Sequence, residues 1–431
     1  MVNCLPMKKP LIIVSALLLV CVVALALTFN TLAATVLSSN PMRQWIVDQV
    51  QSQSGGKFSY GKARLRGLKI ILDKPRLELP PTESAYASVA PDRMAVSVSY
   101  RDLLGLKLTL TELEGTGGTL KMTFLREDPQ NTLYRIPMNL PAVRFRHAQI
   151  TAANVSGWSV KINEADVSLT QSGPKEVRGT LSAEGLAIAG LVLTEVHTAF
   201  VYTDKACDVT ECTARISGGK IRLSGSLPLQ TQPWIKKGRM ELTGADMRAL
   251  LTAMGFKNAP GGVLDLKADF DGKVVPDSPA LSGQGSLTVK NFTIGVALPD
   301  YAIFNEAKIF QDFKPLREAE LKMSFVLVES EIHSQDVLIS HRDYKLTGGL
   351  IYNHARTLSG DMVLSVNAAM AEGIPGIARG AFADTPEGGE TIPFRLTGST
   401  DEVKVEMDSV ISKTLSNPLK GIGEGLKGIF Q

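Results

Sequence analysis

The sequence predicts a mainly β protein preceded by one N-terminal transmembrane helix. Three observations carry that expectation. No charged residue occurs between Lys9 and Arg43, and inside that gap Leu11–Phe29 is almost wholly apolar. From Lys57 onward the hydrophobic period is two, in many short runs of alternating apolar and polar side chains. Gly, Asn, Asp or Pro punctuates most gaps between the runs. Successive side chains of a strand point to opposite faces, so each run describes a strand with one apolar and one polar face.

The apolar run has the length a helix needs to cross a bilayer core, about 20 residues. Lys8 and Lys9 precede it and place the short tail in the cytoplasm by the positive-inside rule. The body from about Asn40 onward then lies outside. The competing reading is a signal peptide cleaved at Thr31-Leu32-Ala33. The run exceeds the usual signal core, so a retained anchor is the expectation. Val20 is not small, which argues against lipidation at Cys21 and leaves that residue as an apolar side chain in the bilayer. Cys207 and Cys212 are the only outer pair, and an oxidising compartment permits a local disulfide between them; two free buried thiols are the alternative.

Pro41–Gln53 predicts an amphipathic helix, with Met42, Trp45, Ile46, Gln49 and Val50 near one stripe and Gly55-Gly56 as its stop. Trp45, just past the anchor, suits a membrane interface. The strand signature then appears at Met94/Val96/Val98, Leu106/Leu108/Leu110 and Leu120/Met122/Phe124. It returns at Leu264/Leu266, Leu287/Val289, Leu321/Met323/Phe325/Leu327, Leu346/Leu350, Met362/Leu364 and Ile392/Phe394. One longer helix is expected over Gly244–Phe256, with Asp246 as N-cap and Gly255 as its stop. Ile411, Leu415, Leu419 and Ile422 recur at helical spacing in a Gly-rich tail, which either seeks a membrane or partner or caps the sheet. A composition break near Pro228–Gly238 divides the body. The expected segments are therefore 1–10 cytoplasmic, 11–32 anchor, 33–56 amphipathic linker, 57–235 N-terminal β region and 236–431 C-terminal β region with a helical tail.

Composition excludes some functions. A net charge of +3 over 431 residues, with no basic stripe interleaved with aromatics, does not suit nucleic acid. The five histidines stand in no metal-binding spacing, and there is no GxSxG elbow, phosphate loop or dinucleotide fingerprint. No catalytic residue, metal or cofactor is expected. The apolar faces are the informative feature. They either close on each other as a sandwich or line the concave side of one curled sheet. An open apolar trough in water needs a ligand, and acyl chains require only a dry surface of sufficient length.

A series of short motifs runs along the chain. After the apolar anchor come Phe58-Ser59-Tyr60-Gly61, Gly67-Leu68-Lys69-Ile70 and the strand–Leu103-Leu104-Gly105–strand unit. The series continues through Leu242-Thr243-Gly244-Ala245-Asp246, Leu281-Ser282-Gly283-Gln284-Gly285-Ser286-Leu287 and Leu346-Thr347-Gly348-Gly349. Phe394-Arg395-Leu396-Thr397-Gly398-Ser399-Thr400-Asp401 closes it. The order of these motifs resembles the AsmA-like family of bacterial inner-membrane proteins. Position 399 is Ser, and no proline follows Asp401 where the family often has one. The resemblance implies an elongated curled antiparallel β-sheet groove, similar to bridge-like lipid carriers. The implied role is conveying phospholipid or another envelope lipid in outer-membrane biogenesis. The alternative is an assembly factor that docks envelope protein partners and carries no lipid. The residues expected to line the groove are Met94, Val96, Val98, Leu106, Leu108, Leu110, Leu120, Met122, Phe124, Leu321, Met323, Phe325, Leu327, Leu364 and Phe394.

Overall fold

A computed structural model describes residues 35, 39–54, 56–66, 69–79, 85–99, 110–124, 142–154, 159–188, 190–228, 234–256, 259–273, 280–293, 318–353, 357–372, 382–399 and 402–406. The chain is mainly β with few helices, and it divides into two compact units, Met1–Glu184 and Gly185–Gln431. The units divide between Glu184 and Gly185, and across the composition break near Pro228–Gly238 Ser226 pairs with Lys236 of the neighbouring strand. The expected transmembrane segment, the Leu103-Leu104-Gly105 unit with Leu106 and Leu108, and the tail beyond 406 lie outside the described residues. Among the described residues no helix is long and apolar enough to cross a membrane.

The first unit opens with α1 (Asn40–Ser54), within one residue of the expected helix at each end. Its strands are β1 (Lys57–Ser59), β2 (Lys62–Arg66), β3 (Lys69–Asp73), β4 (Arg76–Glu78), β5 (Ala85–Ala90), β6 (Arg93–Val98), β7 (Leu110–Thr116), β8 (Thr119–Phe124), β9 (Ala142–Asn154) and β10 (Ser159–Gly173). β9 organises them. Its first half pairs in parallel with β7, and its second half pairs in parallel with β8. The sheet therefore forks. One branch runs β7–β6–β3–β2 and the other β8–β5–β4–β1, all antiparallel. The apolar residues of both branches meet the inner stripe of α1. Ile46, Phe58, Tyr60, Ala63, Leu72 and Val96 are buried there, with Met42 and Val50 packed around them. Arg43 fastens the helix, donating to the Tyr60 carbonyl and lying 5.3 Å from the Tyr60 ring centroid.

β11 (Glu176–Ile188) contains the division between the units. The second unit continues with β12 (Leu191–Thr203), β13 (Ala206–Ile216), β14 (Gly219–Pro228), β15 (Trp234–Asp246), β16 (Gly261–Lys273) and β17 (Ala280–Thr293). It ends with β18 (Ala319–Val328), β19 (Glu331–Ser340), β20 (Tyr344–Tyr352), β21 (Leu358–Val366), β22 (Ala383–Asp384), β23 (Glu390–Ser399) and β24 (Glu402–Glu406). From β12 to β21 each strand pairs antiparallel with the next, and β23 then joins β21 to β24. The helix α2 (Met247–Ala253) starts where expected, its N-cap Asp246 accepting from the Ala249 N–H at 2.9 Å. The short α3 (Ala368–Glu372) follows β21.

Bulges recur, and carboxylates serve them. At irregularities in the β15–β16 ladder, the N–H of Lys237 donates to Asp271 at 2.6 Å and that of Gly244 to Asp265 at 2.8 Å. In the β18–β19 ladder, Ser324 N–H donates to Asp336 at 2.8 Å. In the first unit, His147 N–H donates to Asp166 at 2.9 Å beside a bulge in β9–β10. A bulge turns an N–H out of the ladder, and the aspartate of the adjacent strand satisfies it. Burial pushes the Asp336 carboxyl up, but its bonds from Ser324 and Ser334 outweigh that and hold it below its ordinary value. A depressed carboxylate contributes stability that is present above the unfolded value near 3.9 and is lost as pH falls through the folded value. Asp336→Ala is therefore expected to cost about 1 kcal/mol at neutral pH. The difference from wild type should vanish in acid, read from urea unfolding midpoints at pH 7 and in strong acid. A difference independent of pH would overturn this account.

Candidate functional site

The sheet of the second unit is two-faced along its ladder. Register carries one row of apolar side chains across eight strands: Ala245, Leu264, Val289, Leu321, Ile339, Leu346, Leu364 and Ile392. A second row runs Ile221–Leu242–Leu266–Leu287–Met323. Six residues of the first row are buried, with Val289 fully so and Ile392 nearly so. Leu321 and Leu346 within that row, and Leu266, Leu287 and Phe394 beside it, are only partly buried. Seven strand spacings at ~4.8 Å make the first row roughly 34 Å long, against about 15 Å for the hydrocarbon of one bilayer leaflet.

The opposite face is polar and held by ion pairs. Arg239 meets Asp269 at 2.8 Å, Lys267 meets Glu241 at 2.9 Å, and Arg395 meets Asp361 at 2.8 Å. The Lys267 hydrogen bond holds the Glu241 carboxyl below its usual range. A depression of about 830 Å³ lies on this face over β15–β19, lined by Arg239, Lys267, Gln284, Ser324, His333 and Asp336 among others. Its Arg239 and Lys267 are already paired with Asp269 and Glu241 of neighbouring strands, and Asp336 accepts from Ser324 and Ser334. Among the described residues no three His, Cys, Asp or Glu side chains converge to hold a metal ion.

The residues named from sequence divide between two environments. Leu321, Met323, Phe325, Leu327, Leu364 and Phe394 share the apolar face of the second unit, with Phe325 and Leu364 buried and the others partly so. In the first unit Val96 is buried and Met94 is packed against the core beneath α1, so both serve an enclosed interior. Leu120 packs on Val143 and Phe145 at the fork. Met122 is half-buried in β8. Val98, Leu110 and Phe124 fall in β6, β7 and β8, their side chains outside the described set.

Several apolar-face residues are missing from the sequence-based selection, chiefly Leu266, Leu287, Val289, Ile339 and Leu346. Alternation at Leu264/Leu266 and Leu287/Val289 was the available signal. In β19 the irregularity between Ser334 and Val337 breaks the alternation and hides Ile339.

The expected Cys207–Cys212 disulfide is corrected: both thiols are free. They lie five residues apart on β13, roughly 16 Å along an extended strand, whereas a disulfide needs Cα atoms within about 7 Å. Cys212 Sγ accepts from Thr198 Oγ1 at 3.2 Å instead, and burial pushes the Cys207 thiol up.

No family model, no curated protein and no solved structure matches the chain. The functional reading rests on the residues and their arrangement.

Proposed function

We propose that this chain is a bacterial inner-membrane-anchored periplasmic protein that binds lipid acyl chains on the apolar face of its second unit, in support of envelope biogenesis. The observation that carries the reading is the continuous apolar face, on which Leu266, Leu287, Leu321, Leu346 and Phe394 are only half-buried. Burial of apolar surface yields roughly 25 cal/mol per Å² without directional partners, which suits a ligand made of methylenes. The apolar run Leu11–Phe29 and the flanking Lys8 and Lys9 support the anchor and its orientation. The order of AsmA-like motifs agrees with both. The rival, a scaffold that docks proteins by strand addition, is weakened at β24, where Glu402, Lys404 and Glu406 put charge along the end of the ladder.

The test is native mass spectrometry of the full chain in mild detergent, with lipid extraction of the same sample. Reproducible phospholipid on the wild type is expected. Leu287→Arg with Leu346→Arg should lower its occupancy about tenfold with circular dichroism retained, because a charge at an acyl contact costs more than 1.4 kcal/mol. Lys267→Ala on the polar face should change nothing. A folded, lipid-free wild type would sink the reading.

A further inference from the structure

The outer face of the β7–β6–β3–β2 branch carries more positive charge than the chain as a whole. β2 is an alternating strand whose outward residues are Lys62, Arg64 and Arg66, all exposed. Register extends that face through Lys69, Arg93, Arg144 and Arg146 on β3, β6 and β9. Its acidic residues are Asp73, Glu112 and Glu114. Seven cations against three anions leave a net +4 on one face, where the whole chain carries +3.

The three carboxylates are already engaged. Asp73 meets Arg64 at 2.7 Å and Arg93 at 3.5 Å, Glu114 meets Lys69 at 2.7 Å, and Glu112 meets Lys69 at 3.5 Å and Arg144 at 3.7 Å. Arg66 stands directly across the ladder from Lys69, a like-charge pair that a sheet normally avoids and that an external anion relieves. The position of this face along the chain points to the anion. α1 begins eleven residues after Phe29, a reach of about 38 Å at most. α1 is itself packed into this unit through Ile46 and Arg43. That tether keeps the net +4 face within reach of the bilayer surface, and the potential of anionic lipid acts on it once it comes within a Debye length, about 10 Å.

We infer that the Lys62–Arg66 face of the first unit lies against the anionic phospholipid surface of the membrane that holds the anchor. The inference rests on the anchor reading and is separable from lipid carriage by the second unit. Contact with the bilayer would set the first unit flat on the surface.

The full chain is inserted into nanodiscs of phosphatidylcholine alone, or of phosphatidylcholine with phosphatidylglycerol. An amine-reactive label is then read at Lys62 by mass spectrometry, with Lys267 of the second unit as reference. Labelling of Lys62 should fall about fivefold or more in the anionic discs. It should recover near 1 M salt, where the Debye length is about 3 Å. Arg66→Glu with Arg146→Glu, both exposed, should abolish the protection while the fold is retained. Equal labelling of Lys62 in both discs by an inserted chain would overturn the membrane-contact inference and leave the anchor standing. A chain that does not enter discs would overturn both.

Discussion

Gly118→Val is expected to unfold the fork of the first unit. Gly117 and Gly118 form the tip between β7 and β8, at φ 65° and 77°. That tip is plugged into the middle of β9: Gly117 N–H donates to the Arg146 carbonyl at 2.8 Å, and the Gly118 carbonyl accepts from Gln149 N–H at 2.9 Å. A Cβ on Gly118 would stand 2.2 Å from the Ala90 carbonyl oxygen and 2.5 Å from the Pro91 Cα, both backbone. No side-chain rotation relieves that contact. The left-handed conformation adds about 1–2 kcal/mol for an L residue, and displaced backbone brings the total to about 3 kcal/mol or more. Gly218 has the same sign of φ, +79°, with nothing within 4 Å of its Cβ position. Gly218→Ala should therefore cost only the conformational part, about 1 kcal/mol. Hydrogen exchange resolved by peptide separates the two. Protection should collapse in β5–β9 for Gly118→Val and persist in β15–β21. Unchanged protection at the fork would refute the role given to this tip.

The second large effect is at Val289. It is fully buried within the eight-strand row, between Leu264 and Leu321. Val289→Asp places an unpaired carboxylate between Leu264 and Leu321, and is expected to cost about 4 kcal/mol or more. Ser286, on the same strand, is exposed on the polar face opposite Lys267. Ser286→Asp should be neutral or slightly stabilising, within about 0.5 kcal/mol. The two substitutions introduce the same side chain, so their contrast measures the polarity of the two faces directly. Thermal unfolding by far-ultraviolet circular dichroism provides the readout. Similar melting for both would mean that the sheet does not distinguish its faces.

Much of this arrangement was legible in the residues. Period-two alternation located most strands of the second unit and the face of Leu321, Met323, Phe325 and Leu327, because each side chain's face follows from its parity. Asp246 and Gly255 announced α2 because a cap and a stop are local chemistry. The bulges were not legible. An inserted residue flips parity only relative to a partner strand, and the aspartates that satisfy it, such as Asp271 for Lys237, lie tens of residues away. The expected disulfide failed for a related reason. Spacing in sequence says two cysteines are near, but an extended strand holds Cys207 and Cys212 apart.

The sequence by itself determined that this is a mainly β chain of two-faced strands, with one long apolar run near its start. Those properties need only hydrophobic periodicity and turn chemistry, which act over a few residues. Which apolar residues share an interior was decided by tertiary structure. Met94 and Leu321 carry the same alternating signature. Yet Met94 packs beneath α1 in a fork that β9 creates by pairing with two strands, while Leu321 joins a row crossing eight strands. Local pattern assigns a side chain to a face of its strand. Pairing between distant strands assigns that face to an enclosed core, an open sheet or a charged surface.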